Sequence, residues 1–351
     1  MPVLRHALRL PGRAGRQRAL AGTRRTKCPN FWSSPRPGSA TRCWRSRCSP
    51  RLAAKDPELK LDVLAPAWSR PVLDCMPEVA GIIESPFGHG ELKLKERYRM
   101  GRALARNVYD CAIVLPNSFK SALVPFFADI PLRAGFVGEG RYGLLNVRHR
   151  LDKAKLPLMV ERFAQLAEAP GAELPRPLPE PKLTVRPQAV NRALDELGLT
   201  QPARLAIFCP GAEFGPAKRW PARHFAALGQ RLAADGYDIW MVGSLGDFES
   251  GREIAEAAGG HARNLCGKTT LAQAIALLSL ADRVVTNDSG LMHIAAALDR
   301  PTAALFGSSS PEFTPPLSAH AIVIKHDIEC RSVLQARMSA GALQVHERAD
   351  A

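Results

Sequence analysis

A cluster of residues that could bind an anion lies in the second half of the chain, where an apolar strand pattern stops at Asp288 and a helical pattern follows. Asp288 or Ser289 is a candidate N-cap, and a helix N-terminus carries unpaired N–H groups with a partial positive charge. Such a terminus binds phosphate, and Gly290 lets a ligand approach the backbone closely. His293 lies on the same side of the first turn. A strand, turn and helix without any ligand would give the same pattern.

A second polar loop, residues 210–221, follows the predicted strand Leu205–Cys209. Gly211 permits close backbone approach to a phosphate, and Lys218 could neutralise a diphosphate leaving group. The alternative is a solvated turn with Trp220 packed at the start of a helix. We favour that alternative for Trp220 itself and the ligand role for Lys218. Gly243-Ser244 ends another predicted strand, which is weak support because glycine commonly ends strands.

The excess of basic over acidic residues lies almost entirely at the start of the chain. The net charge is +15, but residues 1–51 hold 13 Lys and Arg and no Asp or Glu, whereas the remainder is nearly neutral. The body therefore gives no reason to expect nucleic acid as a partner. This head lacks apolar periodicity, so it could be a transit peptide, a disordered basic arm that binds nucleic acid or anionic lipid, or a segment translated in the wrong frame.

Strands alternate with helices from Leu52 onward, a pattern that predicts parallel α/β sheets with right-handed crossovers. One such strand, Cys111–Leu115, ends at a polar Pro-Asn-Ser turn. Six prolines between residues 170 and 187 predict a linker. The predicted domains are therefore 52–169 and 188–330, two doubly wound halves with a ligand cleft at the carboxyl ends of their strands.

Membrane and metal signals are weak. No run approaches the roughly 18 apolar residues of a membrane-spanning helix. The eight cysteines show no metal-ligand spacing, so we expect no metal site and a reducing cytoplasm.

Several motifs together resemble one enzyme family. Residues 210–221, 286–293 and 306–317 look like the nucleotide-sugar half of the lipopolysaccharide heptosyltransferases. Residues 117–127 and 141–146 are similar to the type II members of that family in particular. The similarity covers residues 52–330 almost without a break.

The resemblance implies a GT-B fold, in which two Rossmann-like domains face each other across a cleft. It also implies transfer of heptose from ADP-L-glycero-D-manno-heptose to the inner-core heptose of lipopolysaccharide, with inversion and without a metal or other cofactor. We expect a cytoplasmic protein at the cytoplasmic face of the inner membrane, with peripheral membrane contact.

Site residues follow from the same resemblance. Lys218 and Asp288 are expected to support catalysis, with Lys218 countering charge on the departing ADP. The residues expected to bind the nucleotide sugar are Gly211, Ala212, Glu213, Lys218, Gly243, Ser244, Asp288, Ser289, Gly290 and His293. Those expected to face the phosphorylated acceptor are Asn117, Ser118 and Lys120.

The catalytic base is not where the family has it. Family members use the Asp of a Gly-Asp pair in the first strand–helix turn, but the first acidic residue of this chain is Asp56. Inverting transfer requires a base to take the proton of the acceptor hydroxyl. We therefore expect the chain as it stands to be impaired or inactive.

A shifted reading frame would supply a first strand, a turn with the Gly-Asp pair and a helix. With suitable synonymous codons, a frame that opens at the junction of the Lys27 and Cys28 codons reads as an apolar strand, a Ser-Trp-Ile-Gly-Asp turn and an amphipathic helix. Dropping the first base of the Arg331 codon similarly gives a Cys-rich stretch like the family's C-terminus. We infer frame changes near Pro50 and Cys330, which make residues 1–51 and 331–351 non-native. The alternative is chance combined with freedom in codon choice.

Two other functions remain open from the sequence. The chain could be a non-catalytic nucleotide-sugar or nucleic-acid binder with a basic arm. It could also be a related GT-B transferase with a different acceptor.

Overall fold

The computed structural model describes residues 59–88, 90–212, 218–258 and 262–325, together with the backbone of residues 27–31. These residues form two parallel sheets of six strands each, flanked by helices.

The first half builds its sheet in the order β3-β2-β1-β4-β5-β6, with every neighbouring pair parallel. Its strands are β1 (Lys27–Phe31), β2 (Lys60–Ala65), β3 (Val79–Glu84), β4 (Cys111–Val114), β5 (Leu132–Phe136) and β6 (Val147–His149). Its α-helices are α1 (Arg70–Leu73), α2 (Leu94–Leu104), α3 (Leu123–Phe127) and α4 (Met159–Gln165).

The second half repeats this arrangement, with the order β12-β11-β10-β7-β8-β9 and parallel pairing throughout. Its strands are β7 (Leu205–Cys209), β8 (Asp238–Met241), β9 (Ala262–Asn264), β10 (Arg283–Asn287), β11 (Thr302–Phe306) and β12 (Ala321–Lys325). Its α-helices are α5 (Pro187–Leu197), α6 (Ala222–Ala234), α7 (Phe248–Ala258), α8 (Leu271–Leu278) and α9 (Gly290–Ala297).

Both sheets therefore have the doubly wound order of a Rossmann-like domain. The strand order reverses between β1 and β4 in the first sheet and between β7 and β10 in the second, although all strands run parallel. Ligands of such sheets bind outside the carboxyl ends of the strands at this reversal. The expected pair of Rossmann-like halves is confirmed.

The opening strand corrects one expectation from the sequence. We expected residues 1–51 to be irregular and the first strand to be missing, yet the backbone of Lys27–Phe31 forms β1 in the centre of the first sheet. It pairs along its length with β2, from Lys27 opposite Lys60 onward, and it also pairs with β4. Extended backbone can pair without apolar periodicity, because the facing N–H and C=O groups of β2 and β4 require partners. The rest of the head, and the predicted tail 331–351, lie outside the described residues.

The segment between the two halves is largely irregular, as its prolines indicate, and Pro187 already begins α5. It is tied to both halves, because Leu183 N donates to Ala297 O at 2.8 Å and Thr184 N donates to Cys75 O at 2.8 Å. Residues from both halves also share one hydrophobic cluster, in which Leu73 of α1 is buried with Ile275 of α8. The two halves are thus joined by a common core as well as by the chain.

Among the described residues, no helix combines the length and the apolar character needed to cross a membrane.

Candidate active site

A buried amide fixes the reversal point of the second sheet. Asn287, the last residue of β10, has no exposed surface. Its Nδ2 donates to Pro210 O at 2.7 Å, and its Oδ1 accepts from Trp220 N at 3.0 Å. Both ends of the loop that follows β7 are therefore anchored on β10. No role for Asn287 was predicted from the sequence, where its position at the end of a strand was the available signal.

Lys218 and Asp288 meet beside this anchor. Lys218 Nζ lies 2.9 Å from Asp288 Oδ2, and the two side chains are only 14% and 12% exposed. Because the pair is largely shielded from water, its charges act more strongly on a neighbouring ligand than surface charges would. The sequence analysis placed these residues in one site, and the structure brings them into contact across 70 positions of the chain.

The N-terminus of α9 lacks a side-chain capping bond. Ser289 is the N-cap residue, with extended backbone, and its side chain makes no capping hydrogen bond. Its Oγ instead lies 3.3 Å from Thr286 Oγ1. Ser289 and Gly290 are half-buried, and the N–H groups in the first turn of a helix have no acceptor within that helix.

His293 occupies the inner side of α9. It is 2% exposed, and burial lowers the pKa of its imidazole to about 3, although the neighbouring Asp288 carboxylate acts in the opposite direction. A neutral, buried imidazole cannot neutralise a phosphate charge. His293 was expected to bind the nucleotide sugar, and the structure buries its side chain on the inner side of α9.

Asp247 is a site residue that the sequence analysis missed. Its carboxylate accepts hydrogen bonds from Ser244 N at 2.9 Å, Ser244 Oγ at 2.6 Å and Arg219 Nη2 at 3.3 Å. A Cβ atom on Gly211 would overlap this carboxylate, and one on Gly243 would lie 3.0 Å from it. These glycines therefore make room for Asp247, whereas we expected Gly211 to make room for a ligand. The signal for Asp247 was the Ser-x-x-Asp spacing of a capping box.

Two more residues after β7 were expected to bind the nucleotide sugar, Ala212 and Glu213. Ala212 is buried beside the anchored loop. Glu213, which was expected to bind the nucleotide sugar, lies outside the described residues.

The candidate acceptor residues lie in the first half, immediately after β4. Asn117 is exposed, and Ser118 and Lys120 are half-buried, so all three reach the surface. They stand at the carboxyl end of β4, next to the reversal point of the first sheet, where a ligand is expected.

Two doubly wound Rossmann-like halves are the architecture of a GT-B glycosyltransferase. The family described as glycosyltransferase family 9 (heptosyltransferase) matches residues 97–343. The chain belongs to glycosyltransferase family 9. The family that the motifs predicted is thus confirmed, and with it a transferase.

Individual relatives agree with this assignment. The chain is 51% identical over 283 residues to lipopolysaccharide heptosyltransferase 2 of Salmonella typhimurium, covering 78% of this chain and 81% of that protein. The corresponding Escherichia coli K12 protein is 50% identical with the same coverage. The solved structure of E. coli ADP-heptose lipopolysaccharide heptosyltransferase II superposes with a TM-score of 0.77 at 41% identity, covering 93% of this chain and all of that one.

The burial of His293 predicts a pH dependence of stability. In the unfolded chain its pKa is about 6.5. The unfolded state therefore binds the proton first, so this contribution to stability is complete above pH 6.5 and is lost as the pH falls toward 3. Relative to the variant His293→Gln, the free energy of unfolding of the unmodified protein should fall by about 1.4 kcal/mol per pH unit below pH 6.5.

Urea unfolding of both proteins between about pH 7.5 and pH 4.5 measures this difference. Glu78, whose pKa burial raises to about 7, titrates in the opposite direction but is common to both proteins and cancels. A difference between the two proteins that does not change with pH would contradict the prediction.

Proposed function

We propose that the chain is an ADP-heptose:lipopolysaccharide heptosyltransferase, which moves heptose from ADP-L-glycero-D-manno-heptose to the heptose of the lipopolysaccharide inner core. The observation that carries the proposal is the shielded Lys218–Asp288 pair at the N-terminus of α9. The names of two similar proteins, a lipopolysaccharide heptosyltransferase 2 and an ADP-heptose lipopolysaccharide heptosyltransferase II, support the heptose donor and the lipopolysaccharide acceptor.

The donor binds to the second half in this proposal. The N–H groups of Ser289 and Gly290 face the pyrophosphate, and the ammonium group of Lys218 balances the charge that develops on ADP as it leaves. The nucleotide lies along Gly211, Gly243 and Ser244, at the carboxyl ends of β7 and β8. This arrangement stabilises the leaving group through fixed protein charges and dipoles.

The acceptor binds to the first half, with Lys120 as the cation for a phosphate of the inner core and Asn117 and Ser118 as hydrogen-bonding groups. A single exposed or half-buried lysine is a suitable point charge for such a group. The reversal points of the two sheets then hold donor and acceptor separately.

Catalysis also needs a base, and the segment that directly follows β1 offers no acidic residue. Residues 32–55 contain no Asp or Glu. In addition, Pro29 has no N–H to donate, although it lies in a central strand with a neighbour on each side. Both features support the proposal that residues 28–49 are read in the wrong frame, and that the native turn carries the Gly-Asp pair.

The Lys218–Asp288 pair predicts opposite effects of two neutral substitutions. Lys218→Gln should weaken ADP binding by about tenfold or more, because it removes the cation and leaves the Asp288 carboxylate to repel the diphosphate. Asp288→Asn removes that repulsion, so ADP affinity should be equal or higher. Isothermal titration with ADP measures both effects.

AMP and an exposed lysine provide the controls. Because AMP lacks the second phosphate, its affinity should respond less to Lys218→Gln, and Lys182→Gln in the exposed part of the linker should change neither affinity. An unchanged ADP affinity in Lys218→Gln would remove the basis for the donor site.

The frame proposal predicts a large difference in turnover. A protein in which residues 28–49 carry the shifted-frame sequence should transfer heptose about 10²- to 10⁴-fold faster than the chain as it stands, which is the usual contribution of a general base. Release of ADP from ADP-heptose in the presence of heptose-terminated lipopolysaccharide gives the rate. Both proteins should bind ADP equally, because the donor half is the same. Equal turnover by the two proteins would contradict the frame proposal.

We further propose that the first half contacts the anionic surface of the inner membrane through α2 and α3. Leu94, Tyr98 and Phe126 are exposed by 50%, 52% and 40% on these helices. Lys95 and Arg99 are exposed beside them. Exposed aromatic and aliphatic side chains next to basic ones are typical of peripheral attachment to anionic lipid.

Charge reversal tests the membrane contact. The double variant Lys95→Glu/Arg99→Glu should reduce co-sedimentation with phosphatidylglycerol-containing vesicles by about tenfold or more, since each basic residue contributes roughly 1 kcal/mol near such a surface. The matched variant Arg231→Glu/Arg263→Glu makes the same charge change in the second half and should have little effect. Equal losses of co-sedimentation in both double variants would show that only net charge matters and would contradict the proposal. Vesicles of phosphatidylcholine alone should bind neither the unchanged protein nor the variants.

A further inference from the structure

A buried arginine bonds to the loop that carries the candidate acceptor residues, residues 116–120. Arg141 is 1% exposed. Its Nη1 donates to Pro116 O at 2.6 Å and approaches Ser118 O at 3.4 Å, while Nη2 lies 3.5 Å from Asn117 Oδ1. The guanidinium thus contacts three consecutive residues of the loop.

Arg141 is itself fixed in place. It begins a short 3-10 turn after Gly140, whose φ of 70° lies in the left-handed region that glycine adopts readily. Its backbone oxygen accepts from Leu145 N at 3.0 Å, and its Nη2 donates to Phe136 O at the end of β5. The end of β5, the strand next to β4, therefore sets the position of the guanidinium against the loop.

A second buried arginine holds the other end of the loop. Arg97 of α2 is 2% exposed, and its Nη1 donates to Lys120 O at 3.1 Å. Its remaining donors bond to Leu92 O at 2.6 Å and Glu91 O at 3.2 Å, and the guanidinium lies 4.0 Å from the ring centre of Phe87. Neither arginine is accessible to a ligand in this arrangement.

These contacts depend on the shape of the guanidinium group. A planar fork can donate to several carbonyl oxygens at once, whereas a lysine ammonium is a single point of donation on a flexible stem. Burial lowers the pKa of Arg141 to about 10, so the group stays charged at neutral pH and its hydrogen bonds to the loop are charge-assisted.

We propose that Arg141 and Arg97 are positioning residues for the acceptor: they set the geometry of residues 116–120 and thereby acceptor affinity, without contacting the acceptor. The inference rests on the proposed function of Asn117, Ser118 and Lys120 as the acceptor-binding residues. It separates two roles within the first half, because the exposed side chains recognise the acceptor and the buried arginines hold them in place.

Binding measurements test this inference without requiring turnover. Arg141→Lys and Arg97→Lys should each weaken binding of lipopolysaccharide truncated after its first heptose by about tenfold or more, because charge-assisted bonds to the loop are lost. The affinity for ADP should not change, since the donor site lies on the other sheet. Surface plasmon resonance with the truncated lipopolysaccharide and titration with ADP give the two dissociation constants for the full chain.

Arg133→Lys is the matched control. Arg133 is also partly buried and donates to backbone oxygens, of Leu144 and Ile130, but it makes no hydrogen bond to residues 116–120. Its replacement should alter acceptor affinity by less than about twofold. A similar loss in Arg133→Lys, or a parallel loss of ADP binding in Arg141→Lys, would show a general folding role and overturn the inference.

Lys120→Ala separates failure of the inference from failure of the proposed function. If Lys120→Ala weakens acceptor binding but Arg141→Lys and Arg97→Lys do not, the loop binds the acceptor and the positioning role is wrong. If Lys120→Ala has no effect, the loop is not the acceptor site and both fail. Recovery of acceptor binding by Arg141→Ala on addition of methylguanidinium would support the positioning role, because it restores the buried fork alone.

Discussion

The proposed donor site depends on one buried amide. Asn287 has no exposed surface, so both its donor and its acceptor groups must find partners inside the protein. It finds them at Pro210 and Trp220, the two ends of the loop that follows β7. With both ends held, the ammonium group of Lys218 lies against Asp288, next to the N-terminus of α9.

In the first half, a guanidinium group rather than an amide holds the loop at the reversal point. The loop after β4 is held by the guanidinium of Arg141, which bonds to backbone and side-chain oxygens of the loop. In each half, a buried polar side chain bonds to the backbone at the reversal point of the sheet. Such side-chain contacts allow a loop to be irregular and still well positioned, which a ligand site requires.

The shared core relates these two sites to each other. α1 of the first half packs against α8 of the second, and the linker donates hydrogen bonds into both halves. Buried side chains of both halves lie in one cluster. The proposed donor and acceptor residues therefore lie on two sheets whose relative placement depends on apolar packing away from these residues.

The sequence by itself determined most of the elements after residue 52 and the chemical character of the candidate site. The strand Leu205–Cys209 was predicted with its observed bounds, and Cys111–Leu115 was one residue too long. The prediction that Asp288 or Ser289 caps a helix is confirmed by Ser289. These features are local, because hydrophobic periodicity, caps and turns are read over a few neighbouring residues.

Only the tertiary structure decided which polar groups hold the site together. Asn287 meets Pro210, Arg97 meets Lys120 and Arg141 meets Pro116 across 77, 23 and 25 positions of the chain. The strand at Lys27–Phe31 likewise has no apolar pattern of its own and was found only as a partner for its neighbours. Buried polar groups and central strands are satisfied by whatever the topology brings beside them, and that information is absent from the local sequence.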